Sequence, residues 1–199
     1  MIKRIASRCW PLHRHIIYRL PRSSGAAVAL TFDDGPHPVY TPKVLAILAD
    51  YGATATFFLL GPACEQHPQL VQAIVDGGHA IGIHGMDHSS QNLAGQAEQC
   101  RQVLAKLGLH STAFRPPRGQ LPIRAFCRLA LGGYTTYIWS HDRRDSLRAE
   151  GKWHDPAVPI ESIAAGDIVL MHDDNAVCLQ ELPLILADLK QRSLGTLRL

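Results

Sequence analysis

The feature that most constrains this chain is an alternation that starts at Gly25, in which short apolar runs trade places with helix-like segments. Ala26–Phe32 (AAVALTF) reads as a buried strand that ends in polar residues. Thr41–Tyr51 follows as a helix, with Thr41 expected as N-cap, Pro42 at the first helical position and Val44, Leu45 and Leu48 on one face. Ala53–Leu59 is strand-like, Pro68–Asp76 is helical and stopped by Gly77-Gly78, and His79–Ile83 is strand-like again. Ala94–Leu107 is a helix ending at Gly108, Ala113–Phe114 a short strand, Pro122–Leu131 a helix and Gly133–Trp139 a strand. Asp167–Met171, Val177–Gln191 and Thr196–Leu199 complete the series as strand, helix and final short strand. Strand-then-helix alternation within one domain implies a parallel sheet with helices outside it. Six or seven repeats suit an open doubly wound sheet or a closed barrel. Only Ser140–Pro159 is irregular enough to be a functional loop.

A length of 199 residues suits one domain with a real core, residues 25–199, preceded by an extension over residues 1–24. In that extension Lys3, Arg4, Arg8, Arg14, Arg19 and Arg22 meet no acidic residue before Asp33. It reads first as a helix or tail packed on the domain, and second as a segment in peripheral contact with an anionic membrane. A net charge of +3 makes no case for nucleic acid. No apolar run of secretory-signal length follows the opening charges, and none reaches the length of a membrane span. The five cysteines are odd in number and form no C-x-x-C pair, which argues against a disulfide framework and a cysteine zinc site. Free thiols and the missing signal point to a cytoplasmic protein, with the inner membrane surface as a variant. Oligomeric state is not legible.

Candidate chemistry collects where the proposed strands stop, the end at which parallel α/β folds bind ligands. In TFDDGP, Asp33 and Asp34 would point to opposite faces of an extended chain, but Gly35-Pro36 turns it, so both can reach one cavity. One carboxylate would then sit on a cation while the other takes a proton; a solvated acidic turn is the alternative. In His84-Gly-Met-Asp-His88, residues four apart meet on one helical face, so two imidazoles can share a metal. Gly85 stands where a zincin has its glutamate, so any base must come from elsewhere, with Asp33 the obvious source. Two histidines and one carboxylate form a facial set that leaves positions open. Arg115-Pro-Pro-Arg-Gly119 is a stiffened turn whose Arg115 can orient a carboxylate, or else a surface turn with two solvated arginines. His172, at the end of the apolar run IVLMH, suits a proton donor near neutral pH, or a satisfied histidine at the core's edge.

Taken in order, TFDDGP, H-x-x-x-H, R-x-P-x-G, W-x-x-D-x-x-D and L-M-H resemble the NodB-homology polysaccharide deacetylases, carbohydrate esterase family four, from about Val28 to Asp173. The resemblance implies a distorted (β/α)7-type barrel and one divalent ion, Zn²⁺ in the first instance with Co²⁺ or Ni²⁺ as alternatives. It makes Asp34, His84 and His88 the metal ligands, Asp33 the general base oriented by Arg115, and His172 the general acid tuned by Asp145, with Asp142 as the other candidate. Trp139 and Leu170 would wall an acetyl pocket. Pro117, Arg118 and Gly119 would border the substrate, with a backbone N–H near Arg118 meeting the oxyanion. The implied substrate is an acetylated amino-sugar oligosaccharide or glycan precursor, attacked by metal-activated water. Two departures stand out. Arg118 occupies a position the family usually gives to an aromatic or small residue, and Ser146 one it gives to Trp, which Trp153 could replace. Rival readings are a deformylase or cyclic amide or imide hydrolase on the same scaffold, and a non-catalytic glycan- or metal-binding relative.

Overall fold

The computed structural model describes residues 10–199. Its strands are β1 (Ile16–Ile17), β2 (Ala27–Asp33), β3 (Ala55–Leu60), β4 (Ala80–Gly85), β5 (Ala113–Phe114), β6 (Thr135–Tyr137), β7 (His141–Asp142), β8 (Ile168–His172) and β9 (Gly195–Thr196). They form one sheet in the order β1-β6-β5-β4-β3-β2-β8-β7, with β9 added beside the start of β2. All of these pairings are parallel. The helices are α1 (Thr41–Asp50), α2 (Gly61–Gln66), α3 (Pro68–Asp76), α4 (Leu93–Lys106), α5 (Ile123–Leu131), α6 (Asp145–Ala149) and α7 (Ala176–Gln191).

The sequence explains the layering. Every residue of β2 is buried, as expected for a parallel strand covered on both faces, and apolar residues therefore run through it without alternation. Phe32 and Phe57 stack at 4.9 Å between ring centroids across β2 and β3. The sheet curls so far that its ends meet in the chain itself. Residues 138–140 leave β6, next to the edge strand β1, and enter β7 at the other edge, with Ile138 N–H donating to Ile17 O and Ser140 N–H to Ile168 O. The product is a distorted α/β barrel.

Four local expectations need correction. Thr41 is not an N-cap. It is the first residue of α1, whose cap position is Tyr40, and no side chain caps the helix. The Thr41 hydroxyl turns inward instead, accepting from His37 N–H at 2.7 Å and donating to the buried carboxylate of Asp173. The His84–His88 segment is not helical: His84 lies on β4, Gly85 has φ 105°, and His88 follows in a turn at φ 54°. Ser140–Pro159 contains β7 and α6 rather than loop alone. The final strand is Gly195–Thr196, which pairs with Ala27 and Val28.

Of the basic opening stretch, Lys3, Arg4 and Arg8 lie outside the described residues. Further along, Ile16 and Ile17 pair with Thr136 and Tyr137, and the Arg19 guanidinium bonds Asp167. Among the described residues, no helix is long and apolar enough to cross a membrane.

Candidate active site

β2 and β8 run side by side in a register that pairs Asp33 with His172. β4 delivers His84 two strands away on the other side of β2. A cleft of about 610 Å³ opens over these strand ends. Its walls include Asp33, Asp34, His84, His88, Trp139 and His172, with Arg118, Leu170, Ser146 and Asp174 among the remainder. Arg115, Asp145, Pro117 and Gly119 are not in the walls: Arg115 and Asp145 bond the wall residues Asp33 and His172, and Pro117 and Gly119 flank Arg118 in the chain.

Asp33 and Asp34 turn to different nearest partners. Asp33 completes β2 and accepts a hydrogen bond from Arg115 Nη1 at 2.8 Å, both groups being almost fully buried. Arg115 is held through two of its three nitrogens: Nη1 also reaches Thr31 Oγ1 at 2.8 Å, Nε donates to Tyr137 O at 3.3 Å, Nη2 is buried without a partner, and the guanidinium lies 4.1 Å from the Phe58 ring centre. Burial lowers the proton affinity of Arg115, and the charge and hydrogen bond of Asp33 work against that. Asp34, one residue on, adopts φ 72° and swings away to His84 and His88. Its Oδ1 lies 3.4 Å from His84 Nε2 and 3.3 Å from His88 Nε2.

The three donors fit a metal ion. Their ligand atoms lie within 4.8 Å of one another, and Asp34 Oδ1 is buried with no hydrogen-bond partner. Bonds of about 2.0–2.2 Å to zinc place neighbouring ligands roughly 3–3.5 Å apart at the angles such ions adopt. Without a cation the cluster is electrostatically uneasy. Burial, followed by the charge of Asp33, pushes the Asp34 carboxyl up to about 7. Burial drives His84 down to about 4, and burial with the charge of Arg118 lowers His88. Neutral imidazoles are the form that binds a metal. His84 has its other nitrogen, Nδ1, 2.9 Å from Arg115 O, which fixes the ring and leaves Nε2 facing Asp34.

On the opposite side His172 Nδ1 is 2.9 Å from Asp145 Oδ1, and the His172 backbone N–H donates to Asp145 Oδ2 at 2.8 Å. Asp142 has another job: its Oδ1 accepts Arg144 N–H at 2.9 Å, and its Oδ2 is 3.3 Å from Arg144 Nη1. Burial works against a charged His172, but the hydrogen bond and charge of Asp145, reinforced by Asp33 and Asp34, push it up to about 10. Burial likewise opposes the charge on Asp145, yet hydrogen bonds from His172 and Asn175 hold it below the usual carboxylate range.

Sequence reasoning missed the residues that hold these groups. Gln96, on the buried face of α4, accepts Met86 N–H at 2.9 Å and Asp87 N–H at 3.2 Å and donates to Gln91 O at 2.8 Å, thereby fixing the turn that carries His88. A polar residue between Leu93 and Ala97 on an apolar stripe was the available signal. Asn175 caps α7 by accepting Cys178 N–H and donates to Asp145 Oδ2 at 3.1 Å; an Asn directly before a helix was its signal. Thr31 and Phe58, which cradle Arg115, gave none.

Backbone conformation marks the same place. Among the described residues, the non-glycine positions with positive φ are Asp34, His88, Asn92, Arg118, Arg144 and Ser193, and Asp34, His88, Arg118 and Arg144 all line the cleft. Each such residue costs roughly 1–3 kcal/mol and persists only where its surroundings enforce it. At Gly119, φ is 65° and an added Cβ would stand 2.8 Å from the Trp139 indole, so the ring packs directly on the backbone of this turn.

A barrel with a buried acid, an acid-tuned imidazole and an Asp-His-His cluster over one cleft defines a hydrolase-type α/β barrel. The chain belongs to the polysaccharide deacetylase family, whose model matches residues 21–137. It is 33% identical over 195 residues to a peptidoglycan-N-acetylglucosamine deacetylase of Bacillus cereus, covering 89% of this chain and 88% of the relative. A chitooligosaccharide deacetylase of Sinorhizobium fredii is 34% identical over 170 residues, covering 77% and 76%. A crystal structure of a peptidoglycan N-acetylglucosamine deacetylase superposes with a TM-score of 0.83 at 26% identity, covering 98% of this chain and 95% of that one.

Proposed function

We propose that this deacetylase hydrolyses the acetamide of an N-acetylated amino-sugar glycan or oligosaccharide, and that it does so with one divalent ion held by Asp34, His84 and His88. The observation that carries the reading is the orphaned, buried Asp34 Oδ1 between two imidazole nitrogens, flanked on either side by the Asp33–Arg115 and His172–Asp145 pairs. Relatives whose names state peptidoglycan and chitooligosaccharide deacetylation support the substrate class. When bound, the ion supplies Lewis acidity toward water and the acetamide carbonyl.

The chain's own residues supply the rest. Trp139 and Leu170 receive the acetyl group. Asp33, held in place by Arg115, removes a proton from the attacking water. A backbone N–H near Arg118 meets the charge developing on the carbonyl oxygen. His172, protonated under the influence of Asp145, gives its proton to the sugar nitrogen as the C–N bond breaks. Acetate and a free amine leave. Asp33 keeps the proton taken from water, His172 loses the one given to nitrogen, and the acid product ionises to acetate in solvent, through which Asp33 and His172 return to their starting forms.

The test is acetate release from acetylated chitooligosaccharides and peptidoglycan fragments by protein stripped with a chelator and then resupplied with Zn²⁺, Co²⁺ or Ni²⁺. Activity lost on stripping and restored by one of these ions is the expected result. Full activity in protein verified to be metal-free would overturn the metal assignment, and formate release in preference to acetate would overturn the acetyl assignment.

A further inference from the structure

Among the described residues, three lysine and arginine side chains line the cleft, and two of them are already matched. Lys152 Nζ is 2.7 Å from Glu150 Oε2. Arg144 is 3.3 Å from Asp142 and lies over Trp153 at 4.9 Å from the ring centre. Arg118 is exposed and, among the described residues, makes neither a hydrogen bond nor an ion pair. It lines the cleft together with His88, Glu150 and Trp139.

Nor is Arg118 an ordinary surface arginine on a loose loop. It has φ 57° and ψ 16°, follows buried Pro117, and is followed by Gly119, on which Trp139 packs. A left-handed residue between these neighbours gives its side chain a defined starting direction, although Gly or Asn would suit that backbone better. Of the carboxylates that line the cleft, Asp142 and Glu150 pair with Arg144 and Lys152, and none pairs with Arg118.

We propose that Arg118 forms an anion-recognition subsite at the mouth of the cleft, so that the preferred acetylated amino sugar carries an oxyanion, a carboxylate or a phosphate, next to the acetamide. The proposal rests on the deacetylase reading above and narrows its substrate. A guanidinium presents paired N–H donors that match either oxyanion, and one unmatched at a rigid site has that capacity free.

The experiment compares acetate release by the metal-loaded full chain from three N-acetylglucosamine oligosaccharides of equal length. One is neutral, one carries a carboxylate as a lactyl ether on the ring, and one carries a phosphate monoester. Wild-type kcat/KM is expected to favour an anionic member by about tenfold or more, the preferred one identifying the source of the anion. Arg118→Asn, which tolerates the left-handed backbone, should reduce that preference ratio by about tenfold to a hundredfold, chiefly through KM, and Arg118→Lys should restore part of it. The wild-type preference should shrink with added salt. Equal preference for all three substrates, or an equal proportional loss on neutral and anionic substrates in Arg118→Asn, overturns the proposal. If no substrate releases acetate, the deacetylase reading itself fails, and calorimetric binding of the same oligosaccharides decides the subsite. Tighter binding of an anionic one, lost in Arg118→Asn, supports it, and equal binding overturns it.

Discussion

Asp33 and His172 are register partners on adjacent parallel strands, so the groups assigned to take and to give a proton are a single strand spacing apart at the backbone. Each is turned to its task by a partner from elsewhere in the chain: Arg115 from after β5, and Asp145 from the start of α6.

Removing either proton-handling group should therefore damage turnover more than binding. Asp33→Asn and His172→Ala are each expected to lower kcat about 10²–10⁴-fold, the usual worth of a positioned acid or base. Steady-state kinetics on metal-loaded protein checks this, and near-normal kcat in either variant refutes the role.

Asp145→Asn should lower the proton affinity of His172. In metal-free protein, NMR titration is expected to put His172 at about 10, and the variant should move it down toward its ordinary value. The sign for stability follows. A histidine raised in the folded state contributes fully below its unfolded pKa, about 6.5, and that contribution is lost as pH rises through the folded value. Between these limits wild-type metal-free protein should lose stability to denaturant faster with rising pH than Asp145→Asn does. Parallel pH profiles would count against the pairing.

Gln96→Ala leaves the Met86 and Asp87 N–H groups without their acceptor and frees the turn that carries His88. Metal affinity should fall about 10–100-fold, as is usual when the support of a ligand is removed. Competition titration with a chromophoric chelator measures it, and unchanged affinity would show that the turn holds itself.

Gly119→Ala forces a side chain into a left-handed residue and against the Trp139 ring. A destabilisation of about 1–3 kcal/mol is expected, which at this size lowers Tm by roughly 2–4 °C per kcal/mol. Calorimetry gives the value; an unshifted Tm would mean that the indole moves aside freely.

Much of this was legible beforehand because parallel strands buried on both faces leave long apolar runs, and those runs stop where Asp33, His84 and His172 begin. The bounds of Pro68–Asp76 and Ala113–Phe114 were legible to the residue. Where a backbone reverses hand, periodicity carries no information, and the His84–His88 spacing consequently suggested a helix where a strand runs into a turn. Strands as short as Ile16–Ile17 and His141–Asp142 have no pattern of their own and exist through their partners. Asp142 and Asp145 look alike in sequence. They part only because α6 begins at Asp145, where the side chain meets both the ring and the backbone N–H of His172. Gln96 escaped notice and Thr41 was read as a cap for a similar reason: their hydrogen-bond partners come from distant segments or from turns that sequence reading did not resolve.

The left-handed residues around the cleft set stability and activity against each other. Glycine at Asp34, His88, Arg118 or Arg144 would ease the backbone but delete the functional group that the conformation aims. A screen for heat-resistant variants of this protein should accordingly enrich glycine at these positions among survivors that have stopped working, and a screen that also demands turnover should discard them.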